Sequence, residues 1–401
     1  MKKQIFIIAN SITNSANISG GDKNFIELAK VWIKKDCHIT VITVPEGQKL
    51  CLRAGLDVNF LLLPDININK YGLLATCLYR CLASIAIFKS PYSIPSQTYV
   101  LSSSHYLTDL LPAFWLKLRN KKIKTGVFWH LIFPFPLKGY TYAYKSGFQF
   151  PRLNDTLNWV SQFFSLFLTK YFCDQNFCIN EEITQKLLRM GFQKKKVLFF
   201  HGGAIEYQSI KQIPQPSRQT YDCLFIGRFH SQKGLDDLPA IWQGIIRHLP
   251  QAKLGVIGAG PHEITQKLKD NIARKGLNNS VTLLGFIDDE EKFKILKASA
   301  VYLFPSHYES FGATLVEAQS CGKPSVAYDL PPVVSIFKKG VLFAPLGNTY
   351  KFSQLVIQLL TDQSFYQRIS LESDEHARNF SWTKSAQWLL TNFFPVKVSP
   401  S

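Results

Sequence analysis

The sequence predicts an α/β protein built from two doubly wound domains that face each other across a cleft. Three observations carry this reading. Short β-branched and aromatic runs alternate with helical stretches along nearly all of the 401 residues, the pattern of parallel sheets covered by helices on both faces. A hydrophobic content of 46% suffices for two cores and excludes a wholly disordered chain. A polar, proline-bearing break at Tyr207–Thr220, with Pro214 and Pro216, precedes a fresh strand and reads as a linker.

Taken in order, the first buried strand is Ile5–Ala9. Its apolar run is too short for a signal peptide and lacks a small-residue cleavage site. A helix over Asp22–Lys35 follows, then strands at His38–Val44, Val58–Leu63, Thr98–Ser102 and Ile123–His130. Past the break, strands are expected at Cys223–Gly227, Lys253–Gly258, Val281–Gly285, Ala300–Phe304, Pro324–Tyr328 and Gly340–Phe343, with helices over Asp288–Ala298 and Gly312–Ser320. The expected domains are residues 1–207 and 221–380, joined by a linker at 208–220. No tandem repeat or low-complexity segment interrupts them. The apolar stretches Tyr71–Phe88 and Trp159–Phe172 are broken by Arg80 and by Gln162, Thr169 and Lys170, so neither reads as a clean membrane span.

Charge narrows the partners. The net charge is +18, and it is uneven: residues 1–200 hold 25 Lys+Arg against 11 Asp+Glu, residues 201–401 hold 21 against 17. The first half is therefore expected to meet something anionic, although a solvated basic surface needs no partner. The basic residues form only short clusters, and no helix-turn-helix, zinc or RNA-recognition motif accompanies them, which argues against nucleic acid. The eight cysteines form no Cys-x-x-Cys or Cys/His set and read as reduced thiols of a cytoplasmic protein.

The chemistry lies at strand ends. In Phe304-Pro-Ser-His-Tyr-Glu-Ser-Phe-Gly-Ala-Thr-Leu-Val-Glu317, a strand gives way to a loop bearing Glu309, and Ser310 is placed to cap a helix that begins near Gly312 and contains Glu317. A glycine at the helix start admits a ligand close to the backbone, and the free N–H groups there favour phosphate. Carboxylates accept two hydrogen bonds from vicinal hydroxyls, so two of them flanking a phosphate-binding helix suggest a nucleotide sugar. An acidic loop followed by an ordinary helix is the plain alternative. In Phe225-Ile-Gly-Arg-Phe-His-Ser-Gln-Lys-Gly, Arg228 and Lys233 follow a strand end, where two cations grip a diphosphate, one as a fork and one as a point charge. In the first half, Gly20-Gly21 opens a helix and suits an anion or a simple turn equally well. His130 and, less directly, His105 end or follow strands.

These segments resemble the GT-B-fold retaining glycosyltransferases of family 4, the glycosyl transferases group 1. The resemblance rests on Glu309-x7-Glu317 with its Ser-Phe-Gly and trailing Cys-Gly-Lys-Pro, and on Gly227-Arg228-x4-Lys233-Gly234. Weaker matches are Gly258-Ala-Gly-Pro261, Leu284-Gly-Phe-Ile-Asp288 and Gly20-Gly21. The resemblance implies two Rossmann-like domains, the first binding the acceptor and the second the donor, with the final helix in 381–401 crossing back to the first. It implies that Glu309 contacts the donor sugar, Glu317 the ribose, and Arg228 and Lys233 the pyrophosphate. Ser310, Phe311 and Gly312 would hold sugar and diphosphate, Ile287 would meet the base through its main chain, and His130 and Gly20-Gly21 would lie near the donor.

The function so implied is retaining, metal-independent transfer of a hexosyl group from a nucleoside-diphosphate sugar to a hydroxyl, with no cofactor beyond the donor. There is no Asp-x-Asp motif, so Arg228, Lys233 and helix amides stand in for a metal's charge. The leaving phosphate would help deprotonate the acceptor by a front-face route. The competing reading is a non-catalytic nucleotide-sugar-binding partner of an active transferase. The expected acceptor is a carbohydrate or lipid-linked glycan, in cell-surface glycan or glycolipid assembly. The basic first half and the aromatic runs Phe128–Tyr144 and Trp159–Phe172 add an anionic membrane surface at the inner face as a further partner. The second run suits a surface helix or a core helix equally.

Overall fold

The computed structural model describes residues 3–15, 18–89, 95, 98–137, 153–200 and 202–394, so part of the aromatic run Phe128–Tyr144 lies outside the described residues. The chain divides into two units. The described residues of the first lie before position 138, between 153 and 203, and from Trp382 onward; the second spans Ala204–Ser381.

The first unit is built on seven parallel strands: β1 (Gln4–Ala9), β2 (His38–Thr43), β3 (Asn59–Leu62), β4 (Tyr99–Ser102), β5 (Lys124–Trp129), β6 (Gln175–Cys178) and β7 (Val197–Phe199). Their order is β3-β2-β1-β4-β5-β6-β7. Ile5, Ile7, Ile8 and Ala9 are fully buried, as a strand covered by helices on both faces requires. The second unit has six: β8 (Tyr221–Ile226), β9 (Leu254–Ile257), β10 (Val281–Gly285), β11 (Ser299–Phe304), β12 (Ser325–Tyr328) and β13 (Val341–Ala344). Their order is β10-β9-β8-β11-β12-β13, again all parallel. Both sheets are doubly wound, as the alternation predicts. Each reverses its order once, between β1 and β4 and between β8 and β11. The crevice beyond the carboxyl ends of such strands is where this architecture binds ligands.

Two features depart from the sequence reading, the strands β6 and β7 and the stretch 208–220. Strands β6 and β7 were not expected. β6 buries Asn176, whose side chain accepts from Trp129 Nε1 at 2.9 Å and donates to the Lys196 carbonyl at 3.2 Å. A polar residue held inside by hydrogen bonds breaks the apolar run that marks a buried strand. The expected linker 208–220 is not a plain linker. Tyr207–Gln212 is helical, Ile210 is buried in the second core, and Tyr207 and Lys211 bind Asp374, so the units divide at Gly203/Ala204. The last helix, Trp382–Asn392, belongs to the first unit. Trp32 Nε1, in the helix Gly20–Ile33, donates to the Ala386 carbonyl at 3.1 Å, and Phe394 sits edge-on to Trp32 at 5.2 Å. All eight cysteines are free thiols, five of them buried.

Candidate functional site

In the second unit, the loops leaving β8 and β11 meet at the reversal point. The β8 loop carries Arg228 and a short 3-10 turn, Ser231–Lys233, which ends at Gly234 with φ 68°. Gly234 lies so close to the β11 loop that a Cβ there would stand 1.7 Å from the Pro305 carbonyl oxygen. Only glycine permits both the left-handed backbone and this approach. The Gln232 carbonyl accepts from the His307 amide at 2.7 Å, which stitches the loops together. Asp237 then accepts from the Tyr328 hydroxyl and from His307 Nε2, each at 2.7 Å. The pairing of these loops sets Lys233 against Glu309.

Lys233 Nζ lies 2.6 Å from Glu309 Oε2, and the Ser310 amide donates to Oε1 at 3.1 Å. Burial pushes the Glu309 carboxyl up. Lys233 and the amides of Ser310 and Phe311 outweigh it and hold the group below the usual carboxylate range. Arg228 is exposed at the same strand end, its guanidinium uncommitted among the described residues. The Gly258–Pro261 segment closes on this loop through the Phe229 amide, which donates to the Ala259 carbonyl at 2.8 Å.

Gly312 caps the helix Ala313–Ser320 in a left-handed conformation, φ 91° and ψ 47°. This corrects the expectation for Ser310: it sits two residues upstream, and the cap is a glycine, which offers no side-chain hydrogen bond to the helix's first amides. A helix N-terminus without a capping side chain favours an anion. Tyr302 locks the helix start to β8. Its hydroxyl donates to the Ile226 carbonyl at 3.1 Å and can accept from Thr314 Oγ1 at 2.9 Å. Phe311 is half-buried, with its ring edge-on to Phe380 at 6.0 Å. Ile287 packs partly against the core beside the 85%-exposed Phe286.

Glu317 is buried inside the helix, and its partner was not legible in the sequence. Lys292, from the helix Asp289–Lys297, places Nζ 3.0 Å from Glu317 Oε2, with both side chains at most 10% exposed. The pair is close but poorly aligned as a hydrogen bond, so Oε2 keeps acceptor capacity. Burial pulls the Lys292 ammonium down, but Glu317 and Asp289 outweigh it and raise it above the usual range. Among the described residues, no group of three or more His, Cys, Asp and Glu is arranged to hold a metal.

The first unit has its own cluster at the β1/β4 reversal. Ser19 caps the helix Gly20–Ile33 in a reciprocal box with Asp22, so Gly20-Gly21 forms its first turn. A Cβ on Gly21 would come 3.3 Å from His130 Nε2, so the structure brings these two predicted residues together. His130 Nε2 is 2.8 Å from the Ser103 carbonyl, which can only accept. The ring therefore carries its proton on Nε2 and offers Nδ1 as an acceptor. Burial pushes its pKa down despite that hydrogen bond.

His105 is buried, stacked on Trp129 at 4.6 Å, and among the described residues neither ring nitrogen has a hydrogen-bond partner. Burial drops it to about 3. Asp109, unremarked in the sequence, gathers the amides of Asn10 and Ser11 and the hydroxyls of Ser11, Ser103 and Ser104. Burial still pushes it up to about 6. It fixes the loop leading to Gly20. Arg80 does the same from below, donating to the carbonyls of Asn10 and Ile12 and bidentately to Asp65.

With this geometry in place, residues 207–376 match the family described as glycosyl transferases group 1. The matched segment lies within the second unit, which is therefore similar to a group 1 glycosyl transferase domain. Over 220 residues it is 26% identical to the poly(glycerol-phosphate) alpha-glucosyltransferase of Bacillus subtilis, covering 54% of this chain and 32% of that protein. Over 204 residues it is 28% identical to the phosphatidyl-myo-inositol mannosyltransferase of Mycobacterium leprae, covering 49% and 53%. The match thus spans between a third and about half of these curated relatives. Among solved structures, Anabaena HepE in complex with UDP and glucose superposes with a TM-score of 0.72 at 14% identity, covering 98% of this chain and all of that one. Sucrose-phosphate synthase from Thermosynechococcus elongatus gives 0.70 at 15%, covering 98% of each chain. At such identity the likeness concerns the fold alone, the GT-B architecture of two Rossmann-like domains.

Proposed function

We propose that this protein transfers a hexosyl group from a nucleoside-diphosphate sugar to a hydroxyl acceptor, with retention at the anomeric carbon and without a metal. The observation that carries the reading is the Lys233–Glu309 pair, the N-terminus of Ala313–Ser320 left without a capping side chain, and Arg228 exposed at the same strand end. Arg228, Lys233 and the helix amides form an electropositive seat for a diphosphate. The same groups stabilise the charge that grows on the departing nucleoside diphosphate. As the diphosphate engages Lys233, the Glu309 carboxylate is released to accept from sugar hydroxyls. Glu317, held by Lys292, accepts from the ribose. Ser310, Phe311 and Gly312 line the seat through their backbone, and Ile287 meets the base. No side chain stands out as a nucleophile, so we assign proton removal from the acceptor hydroxyl to an oxygen of the leaving phosphate. In the first unit, His130 Nδ1 and the Gly20-Gly21 turn are assigned to sugar recognition.

The names of the relatives support the finer points: one is a glucosyltransferase designated alpha, one a mannosyltransferase on a phosphatidyl lipid. HepE has also been solved with UDP-glucose. We accordingly assign the acceptor to carbohydrates or lipid-linked glycans, in cell-surface glycan or glycolipid assembly at the cytoplasmic face of the membrane. The test is nucleoside-diphosphate release and product formation from UDP-, GDP- and ADP-hexoses in excess EDTA, with the product anomer read by NMR. The expected outcome is turnover in chelator with the donor's anomeric configuration kept. Full, reversible loss on chelation, or an inverted product, would remove the corresponding part. Donor binding with neither transfer nor hydrolysis would make the protein a non-catalytic partner.

A further inference from the structure

In a water-exposed amphipathic helix the polar residues face out. Two helices of the first unit do the reverse. In Leu153–Phe172, the polar stripe Gln162, Ser165 and Thr169 is buried. Gln162 Oε1 accepts from the Phe133 amide at 2.7 Å, and Thr169 Oγ1 turns back to the Ser165 carbonyl at 2.7 Å. Phe163, Phe164 and Phe167 are instead 53–62% exposed. In Ile68–Ala83, Thr76 and Arg80 are buried, while Leu74, Leu78 and Leu82 form an i, i+4, i+8 row exposed by 43%, 57% and 75%. Both helices flank one helix, Leu107–Arg119. Phe114 meets Phe172 edge-on at 4.9 Å, and Trp115 Nε1 donates to Ser84 Oγ at 3.0 Å. The two apolar rows therefore sit on helices that share Leu107–Arg119 as a neighbour.

We propose that these two apolar rows dock the protein, without spanning, on an anionic lipid bilayer. The charge chooses the occupant. Residues 66–173, which contain both rows, hold twelve Lys+Arg and two Asp+Glu; two of those cations, Arg80 and Lys117, are paired with Asp65 and Asp174 just outside the span, which leaves ten. Of the two acids, Asp109 is buried, leaving Asp155 in the first turn of Leu153–Phe172. Lys121 and Lys122 are exposed directly after Leu107–Arg119. Exposed leucine and phenylalanine among cations, with few acids, is the chemistry of an interfacial helix on anionic lipid. A second copy set face to face would bring the same cations against one another. Ile68–Phe88 is long and apolar enough to cross a membrane by length and composition. It does not do so here: Arg80 is tied to Asp65 and to the carbonyls of Asn10 and Ile12, and Gly72 breaks the helix at φ 79°. The helix lies on its unit with its leucines outward.

The test is flotation of the full chain with phosphatidylglycerol-containing vesicles or with pure phosphatidylcholine vesicles, without sugar donor, at about 0.15 M salt. Binding is expected to the anionic vesicles and to be about tenfold weaker or more on the neutral ones. Phe163→Ser/Phe167→Ser should weaken it at least about tenfold. Lys121→Ala and Lys122→Ala should each weaken it about fivefold. All variants should keep the wild-type melting temperature, which separates lost docking from lost folding. No flotation on anionic vesicles, or flotation that both sets of variants leave intact, overturns the proposal. So does a dimer, seen by light scattering, that the phenylalanine variant dissociates while vesicles bind nothing; that result assigns the face to a second copy. Because no donor is used, none of these outcomes bears on sugar transfer.

Discussion

The loops at β8/β11 and those at β1/β4 occupy the same place in two examples of one topology, yet they treat buried charge in opposite ways. At β8/β11, charges are paired but not saturated: Lys233 with Glu309, Lys292 with Glu317, and Arg228 exposed nearby. At β1/β4, Asp109 is enclosed by five donors, Arg80 is engaged by carbonyls and Asp65, and His105 is sealed in with no hydrogen-bond partner among the described residues. A pair that keeps free acceptor or donor capacity can exchange its partner for a ligand. A saturated group builds the loop it sits in. The first pattern reads as a site, and the second as the scaffold of the loops that carry it.

The contrast can be broken by mutation, beginning where the effect is largest. Lys292→Met removes one partner of a buried pair and should cost about 3–5 kcal/mol in a denaturant titration. Lys292→Met/Glu317→Gln should recover part of that loss, and both variants should weaken nucleotide binding. Lys233→Ala should lower turnover about 10²–10³-fold, worth roughly 2.7–4 kcal/mol in the transition state, with a much smaller change in melting temperature. Near-normal turnover would place Lys233 with the scaffold. Gly234→Ala sets a Cβ 1.7 Å from the Pro305 carbonyl at φ 68°. It should cost about 1–3 kcal/mol of stability, and turnover should fall with it as Lys233 shifts away from Glu309.

His105→Phe tests the scaffold side. Burial depresses His105 to about 3, so the native state excludes a proton that the unfolded chain binds below its ordinary pKa of about 6.5. Stability from this group is therefore lost as pH falls through that window. The variant should gain on the wild type by about 1.4 kcal/mol per pH unit from near 6.5 downward, in chemical denaturation across pH. A constant difference would mean that His105 titrates normally.

How legible each half was in the sequence follows from the same contrast. Glu309, Glu317, Arg228 and Lys233 stand in contiguous strand–loop–helix segments, so local spacing alone placed them at the carboxyl ends of β8 and β11. Lys292 escaped notice because it lies on a separate helix among alternating charges, and nothing local ties it to Glu317. Asp109 looks like an ordinary first-turn helix acid until β1 and β4 fold against it. The strand β6 was hidden by Asn176, which is buried only because Trp129 and Lys196 satisfy it. The sequence left Trp159–Phe172 open between surface and core. Only the packing of Gln162 and Thr169 inward shows which face of Leu153–Phe172 is outside.

The central claim is that Lys233 and Glu309 form a diphosphate-sugar seat. It is tested most directly by thermal denaturation with UDP-, GDP- and ADP-hexoses in EDTA, run on the wild type and on Lys233→Ala. A donor at 100 times its Kd adds about 2.7 kcal/mol to the native state, a rise of roughly 5–10 °C for a domain of this size. One nucleotide series should raise the wild-type melting temperature by that much and leave the variant nearly unmoved. No shift with any donor, or an equal shift in both proteins, would contradict the account.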